Sequence, residues 1–227
     1  MKVGTDGVLL GAWTSLAHDP SSILDVGTGT GVIALMLAQR SSAELIDALE
    51  IDEDAYEQAV ENFENSDWGD RLFCYHAAFD EFVEEMQDEG MEEEEEKYDL
   101  IISNPPFYSA DYSSGDAKRD QARFAEALPF KELLEGVSLL LSKRGKFSLV
   151  LPISEEKKFL SLASNFDLFP QRITRVKGTP DSPVKRCLLE LSFLEGEPIE
   201  DVLVIETARH QYTPEYTDLV KDFYLKM

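Results

Sequence analysis

The chain has 227 residues, of which 43% are hydrophobic and 29% are charged. This size and composition are typical of one globular domain, so we expect a single domain over residues 1–227. No apolar run approaches the roughly 20 residues of a membrane-spanning helix, and the first residues lack the apolar core of a signal peptide. We therefore expect a cytoplasmic protein without a membrane partner.

Cysteine and histidine are too few and too scattered for a metal site. The two cysteines, Cys74 and Cys187, each lie in an apolar, strand-like stretch, and the three histidines lie far apart. We expect two ordinary buried thiols, no disulfide framework and no metal.

The net charge of −24 is unevenly distributed along the chain. Residues 118–186 carry 14 basic and 8 acidic side chains, whereas residues 1–117 carry 4 basic and 28 acidic ones. A basic segment in an acidic chain suits an anionic partner, but a salt-bridged or solvated surface is the alternative. The acidic run 84–96 is predicted to be a solvated or disordered insertion, with an acidic metal- or partner-binding role as the alternative.

Short apolar runs alternate with segments of helical spacing along most of the chain. This alternation predicts a parallel sheet covered by helices on both faces, with the last strands closing one edge. The predicted strands are residues 23–26, 45–51, 71–76, 98–103, 146–151, 171–176 and 185–193, and the predicted helices are residues 32–39, 52–65, 81–87, 124–141 and 155–165.

The stretch 25–31, Asp-Val-Gly-Thr-Gly-Thr-Gly, follows the first strand and opens the first of these helices. Its glycines allow a sharp turn and close approach of a ligand at the carboxyl end of a strand. Val32 stands where a dinucleotide fingerprint needs its third glycine, which disfavours a pyrophosphate. The Asp25 carboxylate suits a ligand ammonium group, and Glu50, at the end of the second strand, suits ribose hydroxyls. S-adenosylmethionine has an ammonium group and ribose hydroxyls and carries no phosphate. The alternative is that the glycine stretch is a plain turn at the start of a helix and binds no ligand.

Residues 23–31 and 50 resemble the cofactor motifs of class I S-adenosylmethionine-dependent methyltransferases. The resemblance implies a Rossmann-like α/β fold with a seven-stranded, mostly parallel sheet, one antiparallel edge strand and helices on both faces. Members of this class often have an acidic residue after the third strand that contacts the adenine amino group. Here this acidic residue is either absent or shifted to Asp80, which is the candidate, with Phe79 available to pack on the adenine ring. The implied cofactor contacts are Asp25, Gly27, Thr28, Gly29, Gly31, Glu50 and Asp80.

An amide, two prolines and an aromatic ring, Asn104-Pro105-Pro106-Phe107, follow the fourth strand. The lone pair of an amine on a heteroaromatic ring is delocalised, and two acceptors aimed at its hydrogens would localise it. The Asn104 side-chain oxygen and the Pro105 carbonyl are the candidate acceptors. The prolines fix φ and remove two backbone donors, and Phe107 would stack on a flat substrate. A loop with helix-breaking prolines is the alternative.

This tetrad is similar to the (D/N)PP(Y/F) signature of methyltransferases that act on adenine N6, guanine N2 or a protein glutamine amide. All three acceptors are planar nitrogens. The tetrad therefore predicts the geometry of the reacting atom and leaves the substrate open.

Three further stretches resemble the bacterial tRNA1(Val) (adenine(37)-N6)-methyltransferase family: residues 2–13 (KVGTDGVLLGAW), residues 118–123 (KRDQAR) and the tail over residues 212–225. Members usually carry a short segment before KVGTDG, so we expect a longer natural N-terminus. Thr5 or Asp6 is predicted to cap a short helix over residues 8–13, with a ligand contact on the cofactor side as the alternative. The resemblance implies that the partner is tRNA and that the enzyme binds its anticodon loop.

The predicted substrate contacts are basic. Lys118, Arg119 and Arg123 would lie on the ligand side of the tetrad. Together with further cations of the basic segment they would follow a phosphate backbone. These further cations are Arg172, Arg175, Lys177, Lys185 and Arg186.

Our hypothesis is a monomeric enzyme that methylates adenine N6 in tRNA, and the resemblance implies position 37 of a valine tRNA. Two other enzymes share the tetrad: a release-factor glutamine methyltransferase and an rRNA guanine N2-methyltransferase. A pseudo-enzyme that binds cofactor or RNA is the alternative outside enzymes.

Overall fold

The computed structural model describes residues 4–88, 97–105 and 128–225. The predicted alternation of strands and helices is confirmed in these ranges. The helices are α1 (Thr5–Trp13), α2 (Val32–Arg40), α3 (Glu53–Glu64), α4 (Phe79–Asp88), α5 (Phe130–Leu140), α6 (Glu156–Ala163) and α7 (Pro214–Val220). The strands are β1 (Ser22–Val26), β2 (Leu45–Glu50), β3 (Leu72–His76), β4 (Tyr98–Ser103), β5 (Leu141–Pro152), β6 (Phe169–Lys177), β7 (Val184–Ser192), β8 (Ile199–Val204), β9 (Glu206–Ala208) and β10 (Gln211–Tyr212).

Eight of the described strands form one sheet, in the order β3-β2-β1-β4-β5-β7-β6-β8. The first five are parallel, β7 is antiparallel to both of its neighbours, and β8 is parallel to β6. The fold class is therefore confirmed, with two differences in detail. The described sheet has eight strands instead of seven, and its antiparallel strand lies between β5 and β6 instead of at the edge. The carboxyl ends of β1, β2, β4 and β5 lie together, and we call this side of the sheet the ligand edge.

The sheet separates two hydrophobic cores. Successive side chains of a strand point to opposite faces, and in β4 Leu100 and Ile102 belong to one core while Ile101 belongs to the other. Helices α1, α2 and α3 contribute to the first core, and α4, α5 and α6 to the second. Burial on both faces explains the continuous apolar runs of the inner strands.

Helix α1 begins earlier than predicted and has a different cap. Its N-cap is Gly4, and no side chain caps its first turn, so the predicted cap by Thr5 or Asp6 is wrong. The Asp6 carboxylate instead accepts a hydrogen bond from Arg186 Nε at 2.8 Å. This ion pair joins α1 to β7.

Both cysteines are free in the described chain, Cys187 buried and Cys74 half-buried. Burial raises the pKa of each thiol to about 12, so both are protonated at neutral pH. Within the described ranges, no helix combines the length and apolarity that crossing a bilayer requires. Residues 84–88 of the acidic run belong to α4, and residues 89–96 lie outside the described ranges.

Phe79 lies in the second core and is only 6% exposed, so its predicted packing on an adenine ring is wrong. Phe79 is buried because its ring packs closely against Gly136, a residue far away in the sequence. Gly136 of α5 leaves room for the Phe79 ring, and a Cβ at position 136 would also meet Val83 Cγ2 at 2.9 Å.

We expect Gly136→Ala to destabilise the protein by about 1–3 kcal/mol because the new methyl group overpacks this contact. This cost outweighs the roughly 1 kcal/mol that alanine normally gains over glycine inside a helix. Urea unfolding measures the change. Gly196→Ala is the matched control, because a Cβ there meets nothing within 4 Å; equal stability of both variants would contradict the expectation.

Candidate functional site

The glycine turn at the end of β1 has a backbone that only glycine adopts easily. Gly27, Gly29 and Gly31 have φ of 72°, 62° and 79°, in the left-handed region that disfavours other residues. Gly31 also packs on Phe63, whose Cζ would lie 3.0 Å from an added Cβ. An added Cβ at Gly27 would meet nothing within 4 Å. The turn therefore presents bare backbone to open space at the ligand edge.

Asp25 lies beneath this turn and is fully buried. Thr28 Oγ1 donates a hydrogen bond to Asp25 Oδ2 at 2.6 Å, whereas Asp25 Oδ1 has no hydrogen-bond partner among the described residues. Burial raises the pKa of this carboxyl to about 7. The Ala34 backbone N–H lowers the pKa of this carboxyl, but Oδ1 still lacks a well-aligned hydrogen bond. A buried acceptor of this kind favours a ligand that brings a cationic donor.

Glu50, at the carboxyl end of β2, is tied to the glycine turn. Its Oε2 accepts a hydrogen bond from the Gly29 backbone N–H at 2.7 Å. Its Oε1 accepts from the backbone N–H groups of Ile51 and Asp52 at 3.0 and 2.9 Å. These bonds hold the carboxylate at the rim of the turn, 9% exposed.

Asn104 and Pro105 follow β4, the strand that pairs with β1. Ser103 is the register partner of Val26, and its Oγ donates a hydrogen bond to the Val26 carbonyl at 2.8 Å. This pairing places Asn104 beside the glycine turn. Asn104 is half-buried and Pro105 buried. Pro106 and Phe107, the rest of the tetrad, lie outside the described residues.

Asp80 is exposed in the first turn of α4, and no described contact joins it to the turn or to Asn104. Sequence reasoning missed Ile51, which it placed inside the second strand. The strand ends at Glu50, and Ile51 is 51% exposed directly after it. A large apolar side chain exposed at a ligand edge suits an apolar or aromatic group. The position of Ile51 directly after Glu50 is the sequence feature from which this side chain could have been predicted.

Most arginines assigned to RNA in the sequence analysis bind other parts of the chain. Arg175 pairs with Glu156 and Glu200, both at 2.6 Å, and Arg186 pairs with Asp6. Arg172 donates to the Trp13 carbonyl, and its guanidinium lies 3.7 Å from the centre of the Trp13 ring. The alternative of a salt-bridged surface thus holds for Arg175 and Arg186, whereas Arg172 is held by Trp13.

Two lysines that the sequence analysis assigned to RNA, Lys177 and Lys185, are placed differently from these arginines. Lys185 is exposed, and Lys177 is half-buried and donates to the Pro180 carbonyl at 2.9 Å. Lys118, Arg119 and Arg123 lie outside the described residues.

The eight-stranded sheet with the glycine turn and Asn104 at its ligand edge is the fold of a class I methyltransferase. A family model described as methyltransferase small domain matches residues 8–151. A solved structure of a predicted O-methyltransferase from Agrobacterium tumefaciens has a TM-score of 0.72 and 20% identity over 96% of both chains. At that identity the likeness shows the fold alone.

Relatives with similar sequences identify the family within this class of methyltransferases. The tRNA1(Val) (adenine(37)-N6)-methyltransferase of Christiangramia forsetii is 67% identical over the whole chain and 92% of that protein. Relatives of the same name from Flavobacterium johnsoniae and Bacteroides fragilis are 63% and 44% identical over the whole chain and 94% and 92% of those proteins. The chain belongs to the tRNA1(Val) (adenine(37)-N6)-methyltransferase family.

Proposed function

We propose that this protein transfers a methyl group from S-adenosylmethionine to N6 of adenine 37 in tRNA1(Val). Family membership supports the reaction and its substrate. The observation that carries the proposal in the structure is the β1–β4 pairing, which brings Asn104 beside the glycine turn. A methyl-donor site and an amine-orienting side chain are neighbours only because these two strands are adjacent.

The residues around the turn fit S-adenosylmethionine. The Oδ1 of Asp25 makes no well-aligned hydrogen bond in the described chain and suits the ammonium group. Glu50 suits the ribose hydroxyls, and the exposed Ile51 suits one face of the adenine ring. The open backbone at Gly27 leaves room for close approach. Gly29, Thr28 and Gly31 hold the turn, whereas Asp80 gains no support from its exposed position.

Asn104 and the Pro105 carbonyl would accept hydrogen bonds from the two hydrogens of the adenine amine. The bonds orient the nitrogen lone pair towards the methyl group that the bound cofactor supplies. Phe107 would stack on the extruded base, and a base in a loop costs less to extrude than one in a duplex. The methylated nitrogen loses its proton to solvent, so no side chain has to act as a general base.

Mass-spectrometric mapping of nucleosides in tRNA1(Val) after reaction tests this function. We expect N6-methyladenosine at position 37 and no product when adenine 37 is replaced by guanine. Methylated guanine would favour the guanine N2 reaction, and label in release factor without label in RNA would favour the glutamine reaction. Either result, or no transfer to any RNA, contradicts the proposal.

We further propose that tRNA approaches over the β5–β7 half of the ligand edge. Lys157 and Lys158 are exposed at the start of α6, just after the carboxyl end of β5. Lys185 is exposed beside Arg186, whose register partner is Pro152 at that same end. These three lysines, together with Lys118, Arg119 and Arg123, would contact phosphates around the anticodon loop of a tRNA bound by one monomer in the cytoplasm.

We expect the triple variant Lys157→Glu, Lys158→Glu, Lys185→Glu to raise the KM for tRNA at least about tenfold, because it reverses three charges facing phosphates. The slope of log KM against log salt should fall by about one for each phosphate that a lysine no longer neutralises. The kcat at saturating tRNA and the cofactor Kd should not change. The matched control is Lys143→Glu, Arg144→Glu, two exposed residues near the start of β5 and far from its carboxyl end. An equal rise in KM in the control would refute this surface.

A further inference from the structure

Helix α1 is fixed at both ends by arginines from three different elements. At its C-terminus, Arg40 of α2 donates to the carbonyls of Gly11 and Thr14, and Arg172 of β6 donates to the Trp13 carbonyl. At its N-terminus, Arg186 of β7 pairs with Asp6. Cations at the C-terminus satisfy carbonyls that lack partners within the helix. The position of α1 is therefore set by its neighbours.

The first turn of this helix lies beside Asn104. Gly7 is buried, and a Cβ added there would lie 3.5 Å from Asn104 Nδ2 and 3.8 Å from Ile33 Cδ1. A methyl group thus fits in ordinary contact with Asn104. A branched side chain would extend into the space that the Asn104 amide occupies.

We propose that Gly7 is a positioning residue: the first turn of α1 restrains the Asn104 amide, and the Asp6–Arg186 pair holds this turn in place. The inference rests on the proposed function, because it assigns Asn104 the orienting role. The terminal torsion of asparagine is broad, so the amide needs lateral contact to keep its oxygen on the substrate amine. A displacement of about 1 Å at such a group lowers the rate by up to about a hundredfold.

Three glycine variants test the role of Gly7. We expect Gly7→Val to lower kcat at least about tenfold at saturating tRNA and cofactor, with the cofactor Kd within about twofold of wild type. Gly7→Ala, which fits, should keep kcat within about threefold. Gly11→Ala is the control on the same helix, because its Cβ would meet Met36 Sδ at 2.9 Å and no part of Asn104. It should lower the Tm but leave the kcat of the folded enzyme unchanged.

The ion pair provides a second test that does not change the core. Asp6→Asn and Arg186→Gln alter partly exposed groups, so each should shift the Tm by no more than about 2–4 °C. We expect each to lower kcat about threefold or more and the double variant to lower it no further, since both remove the same restraint.

The outcomes separate the inference from the proposed function. A wild-type chain that methylates no tRNA adenine contradicts the proposed function. An active wild type overturns this inference alone if Gly7→Val folds and keeps its kcat, or if Gly11→Ala loses as much kcat as Gly7→Val. If Gly7→Val does not fold, full activity of both ion-pair variants overturns it.

Discussion

Asn104→Ala is expected to lower kcat about a thousandfold while the cofactor Kd stays within about twofold of wild type. The variant removes one of the two acceptors that we propose to orient the amine, and loss of one preorganised group of this kind costs about 10²–10³ in kcat. The proposed cofactor site lies around the glycine turn after the neighbouring strand β1, so we expect its own contacts to remain. Single-turnover methylation of tRNA1(Val) and calorimetric binding of S-adenosylmethionine measure the two quantities.

Two further variants serve as comparisons for Asn104→Ala. Asn104→Asp keeps an acceptor in the same place and should retain more activity than Asn104→Ala. Asn165→Ala makes the same substitution at an exposed position after α6 and should leave kcat unchanged. If Asn104→Ala turns over like wild type, Asn104 does not orient the amine and the mechanism is wrong.

Cofactor affinity is expected to depend on pH through Asp25. Burial raises the pKa of this carboxyl to about 7, so the free protein carries a mixture of acid and carboxylate at neutral pH. An ammonium group binds the carboxylate better than the acid, so affinity should rise as pH rises to about 7 and fall by up to about tenfold per unit below it. The cofactor's own amine, with a pKa of about 8, then weakens binding at higher pH. The maximum lies between these two values.

Binding of the cofactor should also release protons near neutral pH, because the ligand lowers the pKa of Asp25. Calorimetry in buffers of different ionisation enthalpy counts these protons. Asp25→Asn should weaken binding at about pH 8 by about tenfold or more and abolish both the acid limb of the profile and the proton release. An Asp25→Asn variant with the wild-type pH profile would show that another group is responsible.

The same shift has a consequence for stability. The pKa of Asp25 is higher in the folded chain than the ordinary value of 3.8, so ionisation opposes folding. The contribution of Asp25 to stability is therefore full below about pH 4 and is lost as pH rises through about 7. The cofactor should restore stability most strongly above that pH, which thermal unfolding with and without cofactor measures.

The inner strands and the two candidate site motifs could be predicted because each is marked by neighbouring residues in the sequence. The continuous apolar run of β4 and the glycines after β1 each occupy a few consecutive residues, and strand ends locate the ligand edge. Strand β8 carried no such signal. Four of its six residues are exposed, including Ile199 and Val202, so neither alternation nor an apolar run marks it.

The remaining differences come from contacts between residues far apart in sequence. Arg175 looks like an RNA-binding residue until Glu156 and Glu200 are found beside it. Phe79 follows the third strand as an adenine-packing residue would, but Gly136 of α5 gives its ring a place in the core. Composition shows how many cations a segment carries, and only the fold shows which of them are already paired.

The additional strand β8 also affects how the protein behaves at high concentration. An outermost strand offers unpaired backbone groups to a second molecule, and two such edges can add to each other. In β8 the exposed Ile199 and Val202 flank Glu200 and Asp201. Edge-to-edge addition would bring carboxylates of two molecules to strand spacing, about 5 Å apart, where like charges repel. Arg175 already neutralises Glu200, so Asp201 is the charge that we expect to oppose edge-to-edge aggregation of this apolar strand.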